Sequence, residues 1–108
     1  MNDLTQQKCQ PCEGGIPALT FDEAKTQIHN TPEWQLNDSA TEINRKFTFS
    51  DFNQTIKFVN DVAKIANEEG HHPDLEVSYG HCIVKFTTHA INGLSINDFI
   101  CAAKIDTL

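Results

Sequence analysis

Two adjacent histidines joined to a proline, His71-His72-Pro73, are the residues of this chain best placed to do chemistry. Five residues separate Pro73 from Tyr79, nine separate Tyr79 from His89, and eight separate His89 from Asp98. Histidine is the one side chain whose unperturbed charge change falls near neutral pH, so three imidazoles with a carboxylate point to proton transfer. Neighbouring loop residues project in different directions. His71 and His72 therefore suit the two sides of a small planar ligand better than a single metal ion. Pro73 fixes its own backbone and biases His72 towards an extended conformation, which preorganises the loop. Simpler roles exist for each residue. A histidine pair just beyond a helix gains from the negative end of the helix dipole. His89, after Thr87-Thr88, can be an exposed strand-end residue. Asp98 caps the helix that Ser95 opens, though its remaining lone pairs can still orient an imidazole such as His89. Tyr79 and Trp34 read first as core aromatics, with Trp34 also a pocket-wall candidate. His29 and His81 have no such neighbours.

Other chemistries find less support. Glu68, Glu69, His71, His72 and His89 supply enough ligands for a metal on paper. No H-x-x-x-H or H-E-x-x-H spacing puts two of them on one helix face. Cys9 and Cys12 form a C-x-x-C without a second pair at finger-like spacing, so two reduced thiols in a tail are the plainer reading. Cys82 and Cys101 fall in a strand and a helix pattern, as small buried hydrophobes do. There is no nucleophile elbow and no glycine-rich phosphate loop. The net charge of −7, from 15 acidic and 8 basic residues, repels phosphate backbones and argues against nucleic-acid binding. No apolar run approaches a membrane span, and the N-terminus lacks a signal pattern, so a cytoplasmic protein without membrane association is expected.

The elements that must position these residues follow from spacing. Residues 1–18 are polar, contain Gly14-Gly15, Pro11 and Pro17, and are expected to form a flexible N-terminal tail. Residues 19–108 then suit one compact domain. Thr20 and Glu23 fit a capping box opening a helix that ends near Asn30, before Thr31-Pro32. Trp34 and Leu36 alternate in a short strand. Ile43, Arg45, Phe47 and Phe49 alternate in the next, where Arg45 leaves the apolar face open at one end. Ser50 or Asp51 caps the longest helix, whose stripe runs through Phe52, Ile56, Val59, Val62, Ala63 and Ala66, widened by Phe58 and Ile65. Gly70 stops it. Leu75, Val77 and Tyr79 alternate as a strand, Gly80-His81 makes a tight turn, and Cys82, Val84 and Phe86 return. Ser95 caps a last helix, with Leu94 and Phe99 spaced as a hydrophobic staple. The prediction is an α+β fold, a four-stranded antiparallel sheet with three helices on one face in the order α-β-β-α-β-β-α. An unpaired edge strand or the open sheet face offers an oligomer contact.

With these residues in place, the chain closely resembles the pterin-4a-carbinolamine dehydratases. The spacing from His71-His72-Pro73 through Tyr79 and His89 to Asp98 is that family's signature. Phe47-Thr48-Phe49-Ser50-Asp51-Phe52 and Thr88-His89 followed by Gly93-Leu94-Ser95 add to the likeness, which covers about residues 19–106. One position departs: the family usually carries a charged residue, often Glu, four places before the first histidine, where this chain has Asn67. Glu68 and Glu69 are the candidates to take over its contact.

The resemblance implies dehydration of 4a-hydroxytetrahydropterin to the quinonoid dihydropterin, recycling the cofactor of aromatic amino acid hydroxylases. It implies no metal, nucleotide or redox cofactor, and a homodimer or homotetramer. On this reading His71 and His89 share the acid and base roles and His72 positions the pterin. Pro73, Asp98, Trp34, Glu68 and Thr88 bind or orient. The alternative implied by the same likeness is a protein-binding module, since some relatives act as transcriptional coactivators or assembly chaperones.

Overall fold

A computed structural model describes residues 4–10 and 17–108. Its elements are α1 (Phe21–Gln27), β1 (Gln35–Leu36), β2 (Ile43–Thr48), α2 (Phe52–Glu69), β3 (Asp74–Ser78), β4 (His81–Phe86) and α3 (Ile96–Ile105). The four strands form one antiparallel sheet in the order β1-β2-β4-β3. The α+β arrangement expected from the sequence is the one present.

Sheet register explains the core. Ile43 pairs with Phe86, Arg45 with Val84 and Phe47 with Cys82, so these residues share one face. Along β4, Cys82, Val84 and Phe86 are fully buried while His81, Ile83 and Lys85 between them are not. That period of two is the mark of a sheet covered on one side. Arg45 lies on the covered face at its rim. Its guanidinium sits 4.4 Å from the Phe47 ring centroid and 2.7 Å from Asp106 Oδ1 at the end of α3. Trp34 Nε1 donates to the same oxygen at 2.8 Å, so one carboxylate ties the sheet to the last helix.

The caps fall where the residue types require. Thr20 and Glu23 exchange hydrogen bonds of 2.8 and 3.1 Å at the start of α1. Asp51 caps α2, its Oδ1 accepting from Gln54 N at 2.8 Å. Gly70 ends α2 at φ 66°, ψ 28°, a left-handed conformation that costs glycine nothing sterically. His71 N then donates to Ala66 O at 3.2 Å, closing a Schellman-type turn.

Three expectations need correction. The buried line of α2 runs through Thr55, Phe58, Val62 and Ala66, and Phe52 is 46% exposed. The stripe is rotated towards Phe58 because that ring packs, tilted, against Phe47 and Phe49, with centroids 4.5 and 5.1 Å away. The β3–β4 turn is Tyr79-Gly80, not Gly80-His81, since Ser78 pairs with His81. Tyr79 is therefore exposed, and Gly80 allows a close approach: a Cβ there would lie 3.1 Å from Phe49 O, a tight contact.

The third correction concerns the N-terminal segment. Residues 4–10 lie against α3, with Leu4 buried in the core. Cys9 N donates to Glu69 Oε1 at 2.9 Å, and Cys9 Sγ lies 3.5 Å from Cys101 Sγ. Gln10 and Asn97 clasp one another. Gln10 N donates to Asn97 Oδ1 at 2.9 Å, and Asn97 Nδ2 donates to Gln10 O at 2.6 Å. Cys12, the second thiol of the C-x-x-C, lies outside the described residues, as do the turn residues Pro11, Gly14 and Gly15.

Candidate active site

The end of α2, the loop after β4 and the N-terminal segment enclose a cleft of about 460 Å³. His71, His72 and His89 all line it, with Glu69, Gly70, Thr87, Thr88 and Asn97. Each imidazole arrives by a different device. The glycine turn closing α2 delivers His71, and Pro73 follows directly after His72. His89 begins a 3-10 turn (His89–Ile91) set between paired residues Thr88 and Gly93. Thr88 N donates to Gly93 O at 2.8 Å, and Thr87 Oγ1 anchors the approach through Thr41 O at 2.6 Å.

His71 is the most constrained of the three. Its side chain is 12% exposed, and its ring stacks on buried Phe86 at 5.8 Å and 9° between planes. Its Nε2 lies 2.6 Å from Oδ1 of Asp98, whose side chain is wholly buried. The other Asp98 oxygen, Oδ2, accepts from Thr88 Oγ1 at 2.8 Å and from Ser95 N at 3.0 Å. A buried charge is tolerated only when paired and hydrogen-bonded, and this carboxylate has three donors around it. It also stands in the first turn of α3, where the helix dipole favours negative charge. An ionised carboxylate only accepts, so His71 carries hydrogen on Nε2 and keeps Nδ1 for chemistry.

The Thr88 hydroxyl has one hydrogen, given to Asp98, so Ser95 Oγ, 2.8 Å away, donates to Thr88. Donation from Ser95 through Thr88 and donation from His71 thus converge on the Asp98 carboxylate. His72 Nε2 lies 3.0 Å from Asn67 Oδ1. Asn67, where the resemblance implies a charged residue, therefore meets the second histidine as a neutral acceptor. His89 is the open member, 79% exposed, with Nε2 3.8 Å from Asp74 Oδ2.

Several expected site residues fall elsewhere. Asp98 orients His71, not His89, because His89 leaves the strand in a 3-10 turn while Asp98 stays buried. Trp34 is a core residue packed on Phe47 and Phe86, with centroids 6.2 and 5.9 Å away, and does not line the cleft. Glu68 is exposed on the outer side of α2 and also lies off the cleft. Its neighbour Glu69 faces inward, bound by Lys104 Nζ at 2.7 Å and by Cys9 N. The Lys104 ammonium first, and the Cys9 amide second, hold the Glu69 carboxyl below its usual range. Pro73 is half-buried behind His72 and shapes the loop without lining the cleft. Sequence reasoning named Glu69 only as an alternative to Glu68, and did not place Asn97, Cys9 or Gln10 at the cleft. Among the described residues, no group of three or more His, Cys, Asp or Glu side chains is arranged to hold a metal ion, and no helix is long and apolar enough to cross a membrane.

The family model described as pterin 4 alpha carbinolamine dehydratase matches residues 17–108. A protein of Nitrosomonas eutropha described as a candidate pterin-4-alpha-carbinolamine dehydratase is 51% identical over 107 residues, covering 98% of this chain and 93% of that protein. A Methylococcus capsulatus protein of the same description is 48% identical, covering 97% and 92%. Among solved structures, the transcriptional coactivator/pterin dehydratase from Brucella melitensis superposes with a TM-score of 0.78 at 30% identity, over 83% of this chain and 96% of that one. A pterin dehydratase-like protein identified as a RuBisCO assembly factor in the alpha-carboxysome shares the fold, with a TM-score of 0.60 at 18% identity, over 69% and 87%. With its matched region spanning the whole helix-and-sheet body and all three cleft histidines, this chain belongs to the pterin-4-alpha-carbinolamine dehydratase family.

Proposed function

We propose that the cleft dehydrates 4a-hydroxytetrahydropterin to the quinonoid dihydropterin by histidine acid–base catalysis. The C4a–O bond breaks, the N5–H proton leaves, a C4a–N5 double bond forms, and the hydroxyl departs as water after receiving a proton. Residues with pKa values near ambient pH serve both transfers, and such help is typically worth about 10²–10⁴-fold. The supporting observation is the buried Asp98 carboxylate on Nε2 of a histidine that shares its cleft with two others. This pairing leaves His71 Nδ1 to exchange a proton with the pterin, with the imidazolium stabilised by Asp98. His89 serves as the second proton-transfer group. His72, held by Asn67, binds the ring, and Thr88 acts through Asp98. The product is the form that a hydroxylase pathway reduces and uses again, which fits a cytoplasmic recycling role.

The test is to generate the 4a-hydroxypterin in situ with an aromatic amino acid hydroxylase and follow quinonoid formation. Wild-type protein should accelerate it, and the double variant His71→Ala/His89→Ala should not, with its circular dichroism unchanged. Full activity in that variant sinks the assignment.

Self-association accompanies this reading. Phe52, Val77 and Tyr79 are exposed at 46, 41 and 68%. Thr55 Oγ1, one turn from Phe52, donates to Tyr79 O at 2.9 Å, so Phe52 and Tyr79 share one end of the molecule. With β3 at the sheet edge, these residues favour a homodimer or homotetramer, which sedimentation equilibrium resolves.

A further inference from the structure

The family match begins at residue 17, yet residues 4–10 build part of the cleft wall. Three anchors fix this segment. Leu4 is buried in the core, Cys9 N is bonded to the inward carboxylate of Glu69, and Gln10 is clasped through both its backbone N–H and C=O by Asn97. Asn97 is itself 3% exposed, and Glu69 is held by Lys104. Two consecutive residues, Cys9 and Gln10, are thus set at the cleft with their backbone polar groups committed. Gln10 as a residue is exposed, and neither bond to Asn97 uses its carboxamide. A carboxamide offers a donor and an acceptor side by side. The pyrimidinone edge of a pterin presents the complementary pair in its ring N3–H donor and its 4-oxo acceptor. The proton-transfer groups, His71 and His89, lie on the other walls, as does His72.

We propose that residues 4–10 form a binding wall of this cleft, in which Gln10 reads the pyrimidinone edge of the ligand and Asn97 is its positioning residue. This rests on the pterin reading above. The segment then governs affinity and choice of ring, and leaves the proton-transfer step alone. Paired donor–acceptor recognition of a heterocycle edge by a carboxamide discriminates by about tenfold or more.

The full-length chain is compared with its Gln10→Ala and Asn97→Ala variants in two assays. Fluorescence titration gives Kd for a 7,8-dihydropterin and for its N3-methyl derivative, in which the ring N–H donor is blocked. The dehydration assay gives KM and kcat. In Gln10→Ala the preference for the unmethylated ring should fall about tenfold, with KM raised and kcat nearly constant. Asn97→Ala should weaken both ligands and leave the pH profile of kcat in place. Gln10 is exposed, so its variant folds even if loss of the clasp destabilises Asn97→Ala. Unchanged Kd and unchanged ring preference in folded Gln10→Ala overturn the proposal. Wild-type protein that binds dihydropterin but accelerates no dehydration overturns the reaction reading alone, while the variant-to-wild-type ratios still judge the wall. Wild-type protein that binds neither ligand removes both.

Discussion

Asp98→Asn separates the orienting role of this carboxylate from its capping role. Oδ2 accepts from two donors, Thr88 Oγ1 and Ser95 N, while Oδ1 meets only His71 Nε2. An asparagine carbonyl will take the Oδ2 position, because the opposite orientation would aim its NH₂ at two donors. The helix cap therefore survives. The NH₂ then faces Nε2, which must accept, and the ring hydrogen moves to Nδ1. The protonated ring donates from both nitrogens, so it meets a donor and is disfavoured. A hydrogen bond to a charged group is worth about 1.5–3 kcal/mol, which predicts a fall in kcat of about 10- to 100-fold. KM should move less, since the ring stays stacked on Phe86. Stability should change little, because removing a buried charge offsets part of the lost bond. Asp98→Ala is the contrast. It strands the Thr88 hydroxyl, the Ser95 amide and the His71 ring together, at a cost of about 3–5 kcal/mol. Stopped-flow rates of quinonoid formation and thermal melts read both effects. Wild-type kcat in a folded Asp98→Asn protein would refute the argument that Asp98 sets the working tautomer of His71.

Two further perturbations test the frame around the histidines. Glu69 is held below the usual 4.5, mainly by Lys104 and then by the Cys9 amide. Its contribution to stability is thus present above 4.5 and lost as pH falls through the lowered value. The melting-temperature difference between wild type and Glu69→Gln should be full at neutral pH and shrink in the acid range; a difference independent of pH contradicts the pairing. Gly70→Ala meets no atom within 4 Å, so its cost is the left-handed backbone alone, about 1–2 kcal/mol. Because His71 is the next residue, kcat should fall along with the melting temperature. Loss of stability with unchanged kcat would show that the turn does not set the imidazole.

Local signals carried much of this fold into the sequence. Thr20 and Glu23, Asp51, Gly70 and Ser95 each act within a few residues of themselves, and all the helix ends they mark are present. The alternation in β4 was equally direct. The partner of Asp98 was not legible, because its two candidate imidazoles lie 27 and 9 positions away and the choice rests on how the chain leaves β4. Trp34 misled for a related reason. An aromatic with a polar handle reads the same whether that handle meets a ligand or, as here, a carboxylate on the last helix. Glu69 did leave a trace. It continues the spacing of Val62 and Ala66 on the buried side of α2, whereas Glu68 does not.

The N-terminal segment was legible only indirectly, through the helix it covers. From Asn97 to Ala102 every residue of α3 is buried, and a helix buried on all sides needs a cover on the side away from the sheet. Residues 4–10 supply part of it. Their own polarity hides this, because backbone polar groups, one leucine and the Cys9 thiol make the contacts. The consequence reaches the site. A helix covered on two sides can keep the Asp98 carboxylate away from water, and an interior carboxylate is held more firmly by its donors than a surface one. The cover that encloses α3 also reaches the cleft at Cys9 and Gln10. Protection of the orienting carboxylate and construction of the ligand wall are thus one packing event, so loosening the segment should weaken ligand binding before it disturbs the His71–Asp98 pair.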